Sequence, residues 1–184
     1  MSIGAFVAII VVGLLLTGMV ALRIAVAKQR RAVDTARARL AASSTVHQRA
    51  EGVPVETLFH MRGSVGRASR SATCARTADG FYCLSDDGRW GGRIPFAPGP
   101  LQPGDVALAA VPSLVGKDGI VIGGLPEWMT SVLASRPLQG LLLQLAGGNS
   151  VWVIDLPEAD AWYGALRLAI QEGDAVRSAP AATT

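Results

Sequence analysis

Hydrophobic and polar positions divide the chain into one uninterrupted apolar run and a longer region of short alternating segments. The run covers residues 3–22, which include no charged side chain. A helix of about twenty residues rises about 30 Å, which matches the hydrocarbon core of a bilayer. The pattern therefore predicts a transmembrane anchor over residues 1–22.

Residues 23–52 predict a basic helical stalk and linker. Ala and Arg are both strong helix formers and are frequent here, and neither Gly nor Pro occurs before Gly52. Val26, Val33 and Leu40 recur at the heptad spacing of a coiled-coil seam. The seam is poor because the positions that would complete it are mostly Arg, Ala and Ser.

From residue 53 onward, short apolar segments alternate with Gly- and Pro-rich turns, which is typical of β structure. The predicted strands cover residues 57–61, 69–76, 81–85, 89–96, 106–111 and 119–122, with a turn at residues 77–80. A short helix is predicted at residues 126–135.

The strongest local pattern lies near the C-terminus. Residues 141–145 and 150–154 flank a Gly-rich loop and predict a hairpin. Asp155 and Glu158 have the spacing of a capping box around Pro157, which predicts a helix start. The helix would place one apolar face inward and end at Gly173; that face consists of Ala159, Trp162, Leu166, Ala169 and Ile170. Residues 174–184 predict a disordered tail.

This layout resembles a known family. The resemblance rests on VWVIDLPEADAWYGALRLAI at residues 151–170 and on the order of elements across residues 55–173. The order resembles the pleckstrin-homology-like barrel, and the whole chain resembles small, actinobacterial-type membrane proteins with one span and such a domain. The resemblance implies an N-terminal transmembrane helix plus an α+β, mainly β domain at residues 53–173. In that domain about seven short strands would form a barrel closed by the C-terminal helix.

Charge is segregated along the chain. The net charge is +3, but residues 23–76 carry +8 and residues 77–184 carry −5. Arg23, Lys28, Arg30 and Arg31 follow the apolar run, and no Lys or Arg precedes it. Because basic residues beside a span are retained in the cytoplasm, these four predict a single-pass protein of the cell membrane. Its N-terminus would lie outside and its C-terminal domain in the cytoplasm.

A cleaved signal peptide is the alternative interpretation of the apolar run. Residues 25–27, Ala-Val-Ala, have the small-x-small form of a cleavage site. A signal peptide carries its positive charge before the apolar region, however, and its apolar core is usually shorter. Both features favour an uncleaved anchor.

The chemistry-bearing residues form no recognisable catalytic or metal-binding motif. Neither His47 nor His60 lies near a Ser or Cys in a nucleophile motif, and residues 116–119 depart from a phosphate loop. The carboxylates at residues 86–87 and 155–160 are explained by a turn and a helix cap. We therefore expect no enzymatic activity, cofactor or metal site. The basic stalk has no aromatic residue for base stacking, which argues against nucleic acid.

The two cysteines test the predicted orientation. A turn at residues 77–80 would place Cys74 and Cys83 opposite each other on paired strands. An oxidising compartment would permit a disulfide between them, whereas in the cytoplasm they would be two small buried thiols.

The family resemblance also implies a candidate lipid site, since pleckstrin-homology-like domains that bind anionic headgroups use basic residues around their first strands. Arg62, Arg67, Arg70 and Arg76 occupy that stretch here, and small residues between them leave the guanidinium groups free to reach phosphates. The alternative, favoured by the lack of lysines, is a solvated edge of the sheet.

Two functional classes follow from these patterns. The first is a membrane-anchored, non-enzymatic interaction or scaffold module at the inner face of the membrane, with a protein partner or anionic lipid as ligand. The second is an extracytoplasmic envelope domain, or an accessory subunit of a transporter or of cell-wall assembly.

Overall fold

The structure, a computed structural model, describes residues 3–97 and 99–178. The helices in these ranges are α1 (Ile3–Ala42), α2 (Glu127–Ser135) and α3 (Ala159–Ser178). The strands are β1 (Val46–Met61), β2 (Ser64–Thr77), β3 (Gly80–Ser85), β4 (Gly91–Pro95), β5 (Ser113–Val115), β6 (Val121–Ile122), β7 (Gly140–Gln144) and β8 (Ser150–Ile154). The predicted helix at residues 126–135 and the hairpin of β7 and β8 are confirmed.

The strands form one eight-stranded antiparallel sheet in the order β4-β3-β2-β1-β8-β7-β5-β6. Because β4 and β6 lie at its two edges, the sheet is open, and the prediction of a closed barrel is wrong. The predicted strand at residues 106–111 does not form, and within it Leu108 makes an isolated bridge to Leu145. The coarser prediction of an apolar N-terminal helix, a mainly β domain and a C-terminal helix is confirmed.

The N-terminal helix is shorter and the first strand longer than the sequence suggests. α1 ends at Ala42 and β1 begins at Val46, so the predicted stalk over residues 23–52 contains both a helix and a strand. Ser43, Ser44 and Thr45 are weak helix formers and end the helix. The next residues pair with the end of β2, with Ala50 opposite Cys74, and this pairing overrides the local helix preference.

α1 is long and apolar enough to cross a membrane. Its large side chains from Ile10 to Val26 are exposed, with Leu14 at 69% and Leu22 at 65%. Residues 1–2 of the predicted anchor lie outside the described residues.

α3 covers one face of the curved sheet and forms the main core with it. Trp162, Leu166 and the partly buried Ala159, Ala169 and Ile170 pack inward, as predicted. The ring of Trp162 meets that of Phe81 edge to face, with centroids 5.8 Å apart.

The opposite face of the sheet carries two separate clusters. α2 supplies Met129 to a cluster with Leu58, Val151 and other residues of β1, β5, β7 and β8. α1 forms the other cluster with β2 and β3. The sheet therefore lies between α3 on one side and α1 and α2 on the other.

The start and end of α3 differ from the prediction. α3 begins at Ala159, and Glu158 adopts a positive φ of 55° just before it, so Pro157 lies outside the helix. The capping box does not form, because the helix begins four residues after Asp155 and Glu158 precedes it. The Asp155 amide donates to the Pro54 carbonyl and holds the chain against β1. The helix then continues past Gly173 to Ser178. Residues 179–184 of the predicted tail lie outside the described residues.

Candidate interaction surfaces

The C-terminal part of α1 is packed into the domain. Val33, Ala36 and Leu40 are buried against Ala75, Tyr82 and Leu84 of β2 and β3. Two of the three heptad positions, Val33 and Leu40, therefore contact the chain's own sheet rather than a second helix. We call this packed region the docking segment, residues 33–40.

The loop after β4 approaches the docking segment so closely that only glycine fits there. A Cβ atom at Gly104 would lie 2.7 Å from the Ala32 carbonyl oxygen and 3.1 Å from the Ala36 amide nitrogen. Gly104 also has a φ of 91°, which L side chains rarely adopt. The contact brings Asp105, the next residue, beside the helix.

A chain of charged groups fixes the docking segment to β4 and its loop. The Arg93 guanidinium donates two bonds to the Asp105 carboxylate, of 2.8 and 2.9 Å, and one of 2.6 Å to Asp79. From α1, Arg39 donates to Asp105 at 3.1 Å and to Gln102 at 2.6 Å. The Asp105 side chain is 1% exposed, so its charge depends on these two arginines for compensation.

Hydrogen bonds and burial in this network shift the pKa values of Asp105 and Tyr82. Burial alone would raise the pKa of Asp105, but bonds from Arg93 and from the Gln102 amide outweigh it, and the pKa lies below its usual value. Burial, then the charge of Asp79 and the hydrogen bond to it, raise the pKa of Tyr82 to about 12. Both groups therefore keep their usual neutral-pH forms, an ionised Asp105 and a protonated Tyr82.

Contacts along α1 define the direction of the neighbouring strands. A shallow cleft joins Ala42, at the end of the helix, to Ala78 and Asp79 in the β2–β3 turn. At the other end of β3, the Ser85 carbonyl accepts a bond of 3.1 Å from Arg37. β3 therefore runs antiparallel to α1, back toward the apolar part of the helix.

The β1–β2 hairpin extends beyond β3 in this same direction. Ser85 lies opposite Ala72, whereas β2 starts at Ser64 and pairs with β1 along that whole extension. The turn at its end is tight, with Arg62 at a φ of 48° and Gly63 at 83°. We call residues 61–65 the hairpin tip; all five are exposed.

The four arginines of the candidate lipid site do not form one cluster. Arg62 lies in the hairpin tip, whereas Arg76 lies near the other end of β2 and donates to Gln48 at 2.9 Å. Arg70 pairs with Asp87 at 2.8 Å. Arg67 is exposed and three positions from Arg70, so the two point to opposite faces of the strand. Only Arg62 and Arg67 lie together near the tip, and lipid contact by all four stays a prediction.

The four predicted topology determinants lie on the exposed part of α1. Arg23, Lys28, Arg30 and Arg31 are all exposed. They connect the apolar surface of the helix to the docked domain.

Cys74 and Cys83 lie opposite each other in the β2–β3 register, as predicted, and both are fully buried. The Asp86 amide donates to the Ser71 carbonyl, so these two residues form a hydrogen-bonded pair. Hydrogen-bonded and non-hydrogen-bonded pairs alternate along antiparallel strands. Cys74 and Cys83 lie three pairs further along and are therefore a non-hydrogen-bonded pair, whose Cα atoms lie close together. The sulfur atoms are 3.8 Å apart. The hydrogen bond from Cys74 and burial raise the pKa of Cys83. Oxidation of these two buried thiols would form a cross-strand disulfide.

Several clefts lie on the surface of the described residues. One of about 260 Å³ lies between the loop after β4 and Ile170 of α3, and the side chains that line it are apolar. Another, of about 310 Å³, lies beside His60, whose ring stacks on Trp128 at 5.6 Å. Within the searched part of the chain, no three His, Cys, Asp or Glu side chains come together as metal ligands.

No protein-family model, no curated protein and no solved structure matches this chain.

Proposed function

We propose that this chain is a membrane-anchored, non-enzymatic interaction module whose domain binds another macromolecule at the inner face of the cell membrane. The observation that carries the proposal is the continuity of α1. The same helix holds the exposed apolar residues 10–26 and the buried Val33, Ala36 and Leu40.

A packed helix gives the domain a fixed pose above the bilayer. Gly104 against α1 and the bonds from Arg37 and Arg39 oppose rotation or swinging of the sheet about the anchor. A fixed height and direction matter for a surface that meets a membrane-bound partner. An enzyme that acts on a soluble substrate needs neither.

The inner-face location rests on Arg23, Lys28, Arg30 and Arg31, whose charge favours the cytoplasmic side. The second candidate is the extracytoplasmic domain, and the pairing of Cys74 with Cys83 favours it, because a disulfide forms readily there. A topology reporter fused after Thr184, active on one side only, separates the two locations.

Photocross-linking in native membranes tests the interaction module. A photoreactive residue is placed at Arg67 on β2, Ser131 on α2 or Leu168 on α3, which are all exposed. We expect a discrete adduct from at least one of these faces. A flexible Gly-Ser insertion between Lys28 and Gln29 should weaken the adduct, whereas the same insertion after Ser178 should not.

Two results would reject the proposal. No discrete adduct from any of the three faces would argue against a macromolecular partner. An adduct that persists unchanged with the flexible insertion would show that the fixed pose is not needed.

A further inference from the structure

We propose that the hairpin tip, residues 61–65, rests in the headgroup layer of the bilayer that α1 crosses. The ligand is the lipid surface itself, and the tip is a second contact of the domain with its own membrane. This inference deepens the proposed function, because it requires α1 to be both inserted and docked.

The height of the sheet above the apolar part of α1 follows from the contact between Arg37 and Ser85. Helical side chains lean toward the N-terminus, so the contact of Arg37 with Ser85 lies near the level of Val33. From Leu22 to Val33 the helix rises about 16 Å. Ser85 therefore lies about that far above the end of the apolar run.

The β1–β2 hairpin is long enough to cross this gap. From Ala72, opposite Ser85, β2 extends back to Ser64 over a length of about 26 Å. This length exceeds the gap of about 16 Å, so the tip still reaches the bilayer when the hairpin is inclined by about 50° to α1. The headgroup layer, which lies outside the hydrocarbon core, shortens the gap further.

The hairpin tip exposes apolar side chains. Met61 is 61% exposed and Val65 is 40% exposed. The hydroxyl of Ser64 donates to the Met61 carbonyl within the turn, and a Cβ atom at Gly63 would meet nothing within 4 Å. Two large apolar side chains on an exposed turn are stabilised by contact with an interfacial lipid layer.

Charge favours the same surface. The tip contains Arg62 and no acidic residue, and the exposed Arg67 follows two positions after Val65. Each basic residue near an anionic leaflet contributes about 1 kcal/mol to membrane attraction. The third nearby arginine, Arg70, is already paired with Asp87 and adds little.

Fluorescence of a labelled tip in proteoliposomes tests the inference on the full chain. An environment-sensitive dye is attached to Val65→Cys, and Val46→Cys serves as the matched control. Both valines are 40% exposed, and they lie in the same hairpin at opposite ends. The native Cys74 and Cys83 are fully buried, and the unsubstituted chain should remain unlabelled.

In vesicles of phosphatidylcholine and phosphatidylglycerol, nitroxide-labelled lipids should quench the dye at position 65 several-fold more than the dye at position 46. Aqueous iodide should show the reverse order. Insertion of seven alanines between Lys28 and Gln29 adds two helical turns, lifts the domain by about 10 Å and rotates it by only about 20°. This insertion should abolish most of the lipid quenching.

Three outcomes would overturn the inference. Equal iodide access at positions 65 and 46 would place the tip in water. Protection from both quenchers would mean that protein, such as a second copy of the chain, covers the tip. If lipid quenching at position 65 persisted after the seven-alanine insertion, the hairpin would not be what brings this position to the bilayer. Hydrogen exchange of the β3 amides in the same sample reports docking of α1, so failure of the tip contact is distinguishable from failure of the fixed pose.

Discussion

At the scale of single residues, a few side chains determine whether the helix and the sheet form one unit. Asp105 is the central one, because it accepts bonds from Arg93 within the domain and from Arg39 on α1. Burying a carboxylate costs free energy unless its partners are in place. The network therefore specifies one position of α1 on the sheet.

Asp105→Asn should lower the free energy of unfolding by about 3 kcal/mol, because it leaves Arg93 and Arg39 without their shared counter-charge. Urea unfolding of the full chain in detergent measures it. Glu51→Gln is the control, since the exposed Arg49–Glu51 pair has side chains 55% and 66% exposed, and its loss should change stability by less than about 1 kcal/mol. Equal effects of the two substitutions would contradict the role of the network.

The same carboxylate predicts a dependence on pH. Because the pKa of Asp105 is lower in the folded chain than in the unfolded one, its stabilisation is present above the unfolded value of about 3.9. It is lost as pH falls through the lower folded value. Thermal unfolding scanned downward from neutral pH should show this acid loss in the wild type and a smaller one in Asp105→Asn.

Trp162→Ala should cost about 3–5 kcal/mol, because the ring is 4% exposed and packs edge to face on Phe81. Leu168→Ala on the same helix is the control, and its side chain is 60% exposed. Chemical denaturation of both variants measures the difference. An unchanged unfolding midpoint for Trp162→Ala would show that α3 does not close the core.

At the scale of elements, α1 is part of the folded domain as well as a candidate membrane span. Its docking segment covers Ala75, Tyr82 and Leu84, which no other helix covers within the described residues. β1 likewise begins at Val46, before the domain boundary at residue 53 that composition suggests. A fragment that starts at residue 55 would therefore lose both the docking segment and part of β1.

A fragment of residues 29–178 should be more stable than one of residues 46–178 by about 3 kcal/mol or more, because it keeps the burial of Val33 and Leu40. Melting temperature and solubility of the two fragments measure the difference. A double variant of the longer fragment, Val33→Asp with Leu40→Asp, should behave like the shorter one. Equal melting temperatures of the unsubstituted fragments would contradict docking.

At the scale of the whole molecule, one helix, α1, contains the exposed apolar part, the basic residues that follow it and the segment that packs on the sheet. On this helix, the basic residues from Arg23 to Arg31 lie between the exposed apolar surface and the docking segment. In the proposed function, this charge favours the cytoplasmic side of the membrane and the docking segment holds the domain in one pose there.

Replacing Arg23, Lys28, Arg30 and Arg31 together by Gln should scramble the orientation, because positive charge beside a span directs it to the cytoplasm. Reporter fusions after Thr184 measure the fraction on each side. A matched variant replaces Arg62, Arg67, Arg70 and Arg76, which lie in β2 and its turn, and should keep one orientation. A single unchanged topology of the stalk variant would show that other features set it.

Much of the fold is determined by local sequence patterns. The length of the apolar run, the turn at residues 77–80, the hairpin around Gly147 and Gly148 and the inward face of α3 are predictable because each depends on neighbours a few residues apart. The pairing of Cys74 with Cys83 follows from the turn alone.

Long-range contacts decided the remainder. The open sheet depends on whether its edge strands meet, and the end of α1 depends on pairing of β1 with a distant strand. Docking of Val33 and Leu40 on β2 and β3, and the direction of the hairpin tip, are also tertiary results. No local pattern encodes them, because the free energy that favours them arises from apolar area and charge that meet only when the chain has folded.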